Sequence, residues 1–161
     1  MNNTSDNYVL FEVGGTVYAI PSPHVAHIEM VEHITLVPKA HAAIDGVVFS
    51  RGQVIPALNL RTRFGFPKEA PTMRSRMIFV QLRERLVGLL VDSAREFIRI
   101  PVDVVRPIEQ TLTGISGNYL SGVAQLGERL IMLIDLEAVL DLDESVSAGL
   151  ATAARRPVAP A

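Results

Sequence analysis

Tyr8-Val9-Leu10-Phe11-Glu12-Val13-Gly14-Gly15-Thr16-Val17-Tyr18-Ala19-Ile20 holds two β-prone runs around a pair of glycines. Gly14-Gly15 readily takes the positive φ angles of a tight hairpin, so the stretch reads as two antiparallel strands, Tyr8 to Val13 and Thr16 to Ile20. The pattern recurs along the chain. Val47 to Phe49 and Gln53 to Leu60 surround Ser50-Arg51-Gly52, and Met77 to Leu82 and Leu86 to Val91 surround Arg83-Glu84-Arg85. Val123 to Leu126 and Arg129 to Leu136 turn at Gly127-Glu128, and a further strand is expected at Glu96 to Ile100, with a turn from Pro101. Pro56 has no N–H for a ladder, which points to an edge or a bulge. Ser22-Pro23 reads as an N-cap with proline at the first helical position, predicting a short helix over His24 to Glu29. Gly65 to Pro71 reads as an exposed loop and Glu137 to Leu142 as the start of a terminal helix.

The hairpins are related to one another. Ile44-Asp45-Gly46-Val47 with Val54 to Leu60 aligns with Leu120-Ser121-Gly122-Val123 and Leu130 to Leu136 at a constant offset of 76, and Phe11 to Ile20 aligns with Val80 to Leu89 at an offset of 69. These parallels predict an internal duplication in a mainly β fold: two subdomains of about five strands, each curled into a nearly closed barrel that hides its edges. A chain of 161 residues suits one domain, and 48% hydrophobic residues can fill its core without a staple. The absence of cysteine excludes thiol catalysis, cysteine-ligated metal and disulfides. A net charge of -2 with mixed signs argues against a nucleic-acid partner, and a charged fraction of only 20% suggests a surface that meets another protein. No apolar run approaches the roughly 20 residues of a spanning helix. The polar start, Met1 to Asn7, is no signal peptide, so a cytoplasmic location without membrane insertion is expected. Residues 1–7 and 145–161 read as flexible tails.

Catalytic motifs find little support. His24 and His27, three apart on the expected helix, could hold a metal with Glu29 or Glu32, although surface histidines are the simpler reading. Gly114-Ile115-Ser116-Gly117 is followed by Asn118 where a nucleophile elbow needs glycine. Asp92, Glu96, Asp135 and Glu137 fall at strand ends, where carboxylates are usually solvated. Arg51, in a polar interruption of a hydrophobic hairpin, can be an interface anchor or a solvated turn residue.

Several blocks, in order, resemble the CheW family, the receptor-to-kinase coupling proteins of bacterial chemosensory arrays. They are Tyr8-Val9-Leu10-Phe11 with Tyr18-Ala19-Ile20, then Ile44-Asp45-Gly46-Val47-Val48 leading to Arg51-Gly52 and Val54 to Arg61. Leu86 to Ser93, Asn118 to Gly122 and Arg129 to Asp135 complete the set. The resemblance implies one domain over residues 8–142, built from two intertwined SH3-like five-stranded barrels, roughly 20–75 and 76–142 plus the N-terminal hairpin. It implies a non-catalytic adaptor without cofactor. Its partners would be the cytoplasmic hairpin tip of a chemoreceptor, the regulatory domain of a CheA-type histidine kinase, and other CheW-like proteins. The receptor helix is expected in an apolar groove between the barrels, at Val25, His27, Ile28, Arg51, Met77, Val87 and Gly88. Kinase-contact residues are not assigned by the resemblance. The chain departs from the family pattern at Phe49-Ser50, where the family usually has Asn-Leu, and at His27 and Asn59, which remove negative charge and leave open twitching motility or another output in place of flagellar chemotaxis. A ligand- or metal-responsive module using His24 and His27 is the reading from another class.

Overall fold

The computed structural model describes residues 5–108 and 116–142. The alternating apolar runs form β1 (Ser5–Val13), β2 (Thr16–Pro21), β3 (Val25–Met30), β4 (Ile44–Ser50), β5 (Gln53–Asn59), β6 (Arg76–Leu82), β7 (Arg85–Val91), β8 (Ser93–Pro101), β9 (Val105–Pro107), β10 (Leu120–Leu126) and β11 (Arg129–Ile134). Two short helices follow the long hairpins, α1 (Leu60–Arg63) after β5 and α2 (Leu136–Leu140) after β11. One sheet has the order β8-β1-β2-β11-β10-β9 and the other β3-β6-β7-β5-β4. Neighbours are antiparallel except β2 with β11 and β5 with β7.

The duplication holds at the level of register. In β4–β5, Ile44 faces Leu58 and, past a bulge, Gly46 faces Ala57; in β10–β11, Leu120 faces Ile134 and, past a bulge, Gly122 faces Leu133. Each pair is displaced by 76. Similarly, Val25 faces Val80 and His27 faces Phe79 across one bulge, while Ala94 faces Phe11 and Glu96 faces Leu10 across another, displaced by 69. The parallel pair Ala57–Gly88 has its counterpart in Leu133–Ala19. Each sheet therefore takes its first hairpin from one repeat and its remaining strands from the other. A cut at residue 76 does not follow the sheets, because β6 and β7 pair with β3 and β5 and join the earlier strands. The intertwining comes from this exchange of hairpins.

Alternation of side chains along the strands divides the interior into three cores. Leu10, Ala19, Ile100, Ala124, Ile131 and Leu133 fill the first sheet's own concavity. Val48, Ile55, Ala57, Met77, Phe79 and Leu90 fill the second's. The opposite faces, including Phe11, Tyr18, Ile20 and Ile134 from one sheet and Leu58, Ile78, Val80 and Leu89 from the other, meet in a shared seam. Two curled sheets with separate interiors and a common seam fit the expected pair of SH3-like barrels.

Two arginines of α1 secure that seam. Arg61 grips Asp92 with two hydrogen bonds of 2.9 and 2.8 Å, and Asp92 also accepts the Gly14 N–H at 2.9 Å from the other sheet's hairpin. The bond to Asp92 pushes the Arg61 pKa further up. Arg63 is buried, donates to the carbonyls of Val139, Ala138 and Asp141 at 3.0, 3.3 and 2.8 Å, and lies over the Tyr119 ring. It thereby satisfies the open C-terminal carbonyls of α2. Burial, with the nearby Arg63 charge, pushes the His41 pKa down.

Several expectations change. Over 24–29 the chain forms a 3-10 turn, Ser22–His24, and then strand β3, where residues alternate between half-buried and exposed instead of sharing a helical face. Pairing with β6 overrides the local helix signal there. Residues 5–7 are strand and pair with β8, so the ordered chain starts before residue 8; the tail from 145 lies outside the described residues. The strands expected to run to Leu60 and Leu136 stop at Asn59 and Ile134, because Asn59 and Asp135 cap α1 and α2. β8 starts at Ser93, earlier than expected, and β9 follows a second 3-10 turn, Val102–Val104. β5 lies inside its sheet, but its pairing with β7 starts only at Ala57, so Pro56 needs no partner on that side. Asp92 and Asp135 are not simply solvated: one is the seam's acceptor and the other a helix cap.

Candidate functional site

Glu29 joins the two edges of the second sheet. Its Oε2 accepts from Ser50 Oγ of β4 at 3.0 Å and lies 3.4 Å from Arg51 Nε in the following turn. His27 Nε2 stands 3.0 Å from the same oxygen, at an angle that makes no hydrogen bond, while its ring stacks on Phe79 with centroids 4.5 Å apart. Arg51 has φ 52° and Gly52 φ 81°, the paired positive angles of a two-residue hairpin turn, and the arginine is 67% exposed. The corresponding corner of the first sheet has Glu96 of β8 at 3.5 Å from Arg129 of β11.

The seven expected groove residues do not share one surface. Val25 lies on edge strand β3 and packs against the seam core, as does its counterpart Ala94 on β8. Ile28, beside it, is exposed, and so is Arg51. Met77 and Gly88 are inside the second sheet: a Cβ at Gly88 would fall 2.8 Å from Met77 Sδ and 3.2 Å from the Phe79 ring. Val87 points the other way, into the seam core, and lines a cavity of about 380 Å³ with Pro56, Leu58 and Leu140. A Val87→Asp change therefore acts on the core. His27 is mostly covered. Of the seven, Val25, Ile28 and Arg51 remain at or beside the surface.

The departures acquire a structural setting. Ser50 is buried and holds Glu29, while Phe49 is 75% exposed. Asn59 is buried beneath a polar pocket that Arg61 and Asp92 also line; its Oδ1 accepts from the Arg61 and Thr62 N–H groups, and its amide donates to Asp45 at 2.8 Å. An aspartate could not donate that bond and would set a second carboxylate against Asp45. His24 and His27 lie in a turn and a strand, and no cluster of three or more metal-ligating side chains forms among the described residues.

Sequence reading missed a second feature. Exposed Phe49 and Val54 face each other across β4–β5, and Ile28 is exposed on β3, the sheet's other edge strand. At the duplicated positions, 69 residues beyond Ile28 and 76 beyond Val54, stand exposed Phe97 and Leu130. Each barrel thus carries apolar side chains at equivalent surface points. The two offsets, applied to outward as well as inward positions, could have revealed this.

A model of the CheW-like domain matches residues 7–144. The chain belongs to the CheW-like domain family. It is 31% identical over 145 residues to the chemotaxis protein CheW of Bacillus subtilis (strain 168), covering 90% of this chain and 93% of that protein. The probable chemotaxis protein CheW of Rhizobium etli is 28% identical over 148 residues, covering 92% and 96%. Among solved structures, the scaffolding protein TtCheW of Thermoanaerobacter tengcongensis superposes with a TM-score of 0.77 at 27% identity, covering 84% of this chain and 92% of that one. In this CheW-like domain the two sheets exchange hairpins, and Arg51 stands at the β4–β5 turn.

Proposed function

We propose that this chain is a non-catalytic adaptor that couples the cytoplasmic hairpin tip of a chemoreceptor to a CheA-type histidine kinase. It would work in the cytoplasm, recruited to membrane-associated receptor arrays. The carrying observation is the pair of exposed apolar groups at duplicated positions, Ile28 and Val54 on one barrel and Phe97 and Leu130 on the other, with exposed Phe49 beside Val54. An adaptor needs two faces, and two related barrels supply them. The receptor contact is assigned to Val25, Ile28 and Arg51 at the edge of the second sheet, next to the seam. The output, flagellar, twitching or other, depends on which receptor and kinase fill these faces.

Arg51→Glu tests the reading. The residue is exposed, so the fold should persist by circular dichroism, while the new carboxylate repels Glu29 and removes an interface anchor. Co-sedimentation with receptor and kinase is expected to weaken about 10-fold, equivalent to roughly 1.4 kcal/mol. Undiminished complex formation would remove Arg51 from the contact. Binding that survives a chelator supports the adaptor; binding that fails with it supports a metal-responsive module.

A further inference from the structure

Where β6 and β8 approach across the seam, Arg74, Arg76, Ser93, Ala94, Arg95 and Glu96 line an open cleft of about 350 Å³. Its charges are unequally matched. Arg95 pairs with Glu12, and Glu96 lies 3.5 Å from Arg129. Arg76 Nη1 instead donates to the backbone carbonyls of Met73 and Ser75, both at 2.8 Å, which fixes the guanidinium without neutralising it. Among the described residues neither Arg74 nor Arg76 meets a carboxylate. A chain of net charge -2 therefore concentrates two uncompensated cations at one place.

The cleft borders β3, the strand that carries the proposed receptor contact. Arg76 is the cross-strand partner of Met30, two residues along β3 from Ile28. Ala94 lines the cleft and packs on the same seam core as Val25. We infer that Arg74 and Arg76 form a basic rim that selects receptor hairpins carrying Asp or Glu beside the apolar residues that dock at Val25 and Ile28. This rests on the adaptor reading and adds the charge of the partner. An exposed charged rim acts mainly on association rate, salt dependence and choice of partner, and apolar contact supplies most of the affinity.

The test uses the full chain and soluble cytoplasmic hairpin fragments of the receptors encoded in the same genome. Affinities are measured at 50 and 300 mM NaCl for wild type, for the double variant Arg74→Gln with Arg76→Gln, and for Ile28→Asp. The double variant is expected to bind about 5- to 10-fold more weakly at low salt and to lose most of the salt dependence, as two exposed ion pairs should. Exchanging Glu for Gln in the hairpin should reproduce the loss in wild type and leave the double variant unaffected. If Ile28→Asp abolishes binding and the arginine pair is silent at both salts, the basic rim is wrong and the adaptor reading stands. If no hairpin binds wild type, the adaptor reading falls, and the rim with it. If the arginine pair weakens only kinase binding, the acidic partner is the kinase and the inference is overturned.

Discussion

Gly46→Ala is expected to destabilise the domain by about 3–5 kcal/mol, from a steric clash added to backbone strain. Gly46 sits in the β4–β5 bulge at φ 152°, and an added Cβ would lie 2.1 Å from the carbonyl oxygen of Thr35. That atom cannot swing aside, because the Thr35 and Val47 backbones exchange two hydrogen bonds of 2.8 Å. The methyl must then break the bridge or displace β4. Gly52→Ala is the matched control: at φ 81° it has open space around it and should cost only about 1 kcal/mol, the penalty for leaving glycine in the left-handed region. Urea unfolding of both variants checks the difference. Equal losses would mean that Gly46 is kept for its torsion alone and that the Thr35 contact is unimportant.

Arg63→Met should cost about 3 kcal/mol although methionine fills similar space, because two α2 carbonyls and that of its C-cap Asp141 lose their charged donor inside the protein. For a domain of this size that is a fall in Tm of roughly 10 °C. Arg61→Met should cost less, since its partner Asp92 is partly exposed and keeps the Gly14 N–H. Calorimetry that ranks Arg61→Met above Arg63→Met would contradict this division of labour.

The β-hairpins were legible because period-2 apolar runs and turn residues are local signals, and the duplication because two bulged hairpins repeat residue for residue. β3 was not legible. Val25 and Ile28 suit a helix face as well as a strand, and the deciding partner, β6, lies some fifty residues away. The hairpin exchange was equally hidden, since two related repeats predict two sheets but not which sheet each hairpin enters. α2 was legible, expected from Glu137 and found at Leu136–Leu140, whereas α1 is about one turn long, too short for a periodic signal; the caps Asn59 and Asp135 were visible but attached to strand ends. At the candidate site, resemblance supplied Val25, Ile28 and Arg51. It also supplied Met77 and Val87, whose side-chain directions depend on register and place them in cores, and Gly88, which is packed under Met77 and Phe79. Ser50 and Arg63 carry polar networks through partners remote in sequence, and nothing adjacent to them announces it.

Kinase recruitment to receptor-bearing vesicles, followed while this chain is titrated, probes bridging most directly. The account predicts that the kinase pellets only when the chain is present, rising with its concentration and falling at large excess as each partner becomes separately saturated. Kinase that pellets equally well without the chain, or a chain that pellets with receptor while leaving the kinase in solution at every concentration, would contradict it.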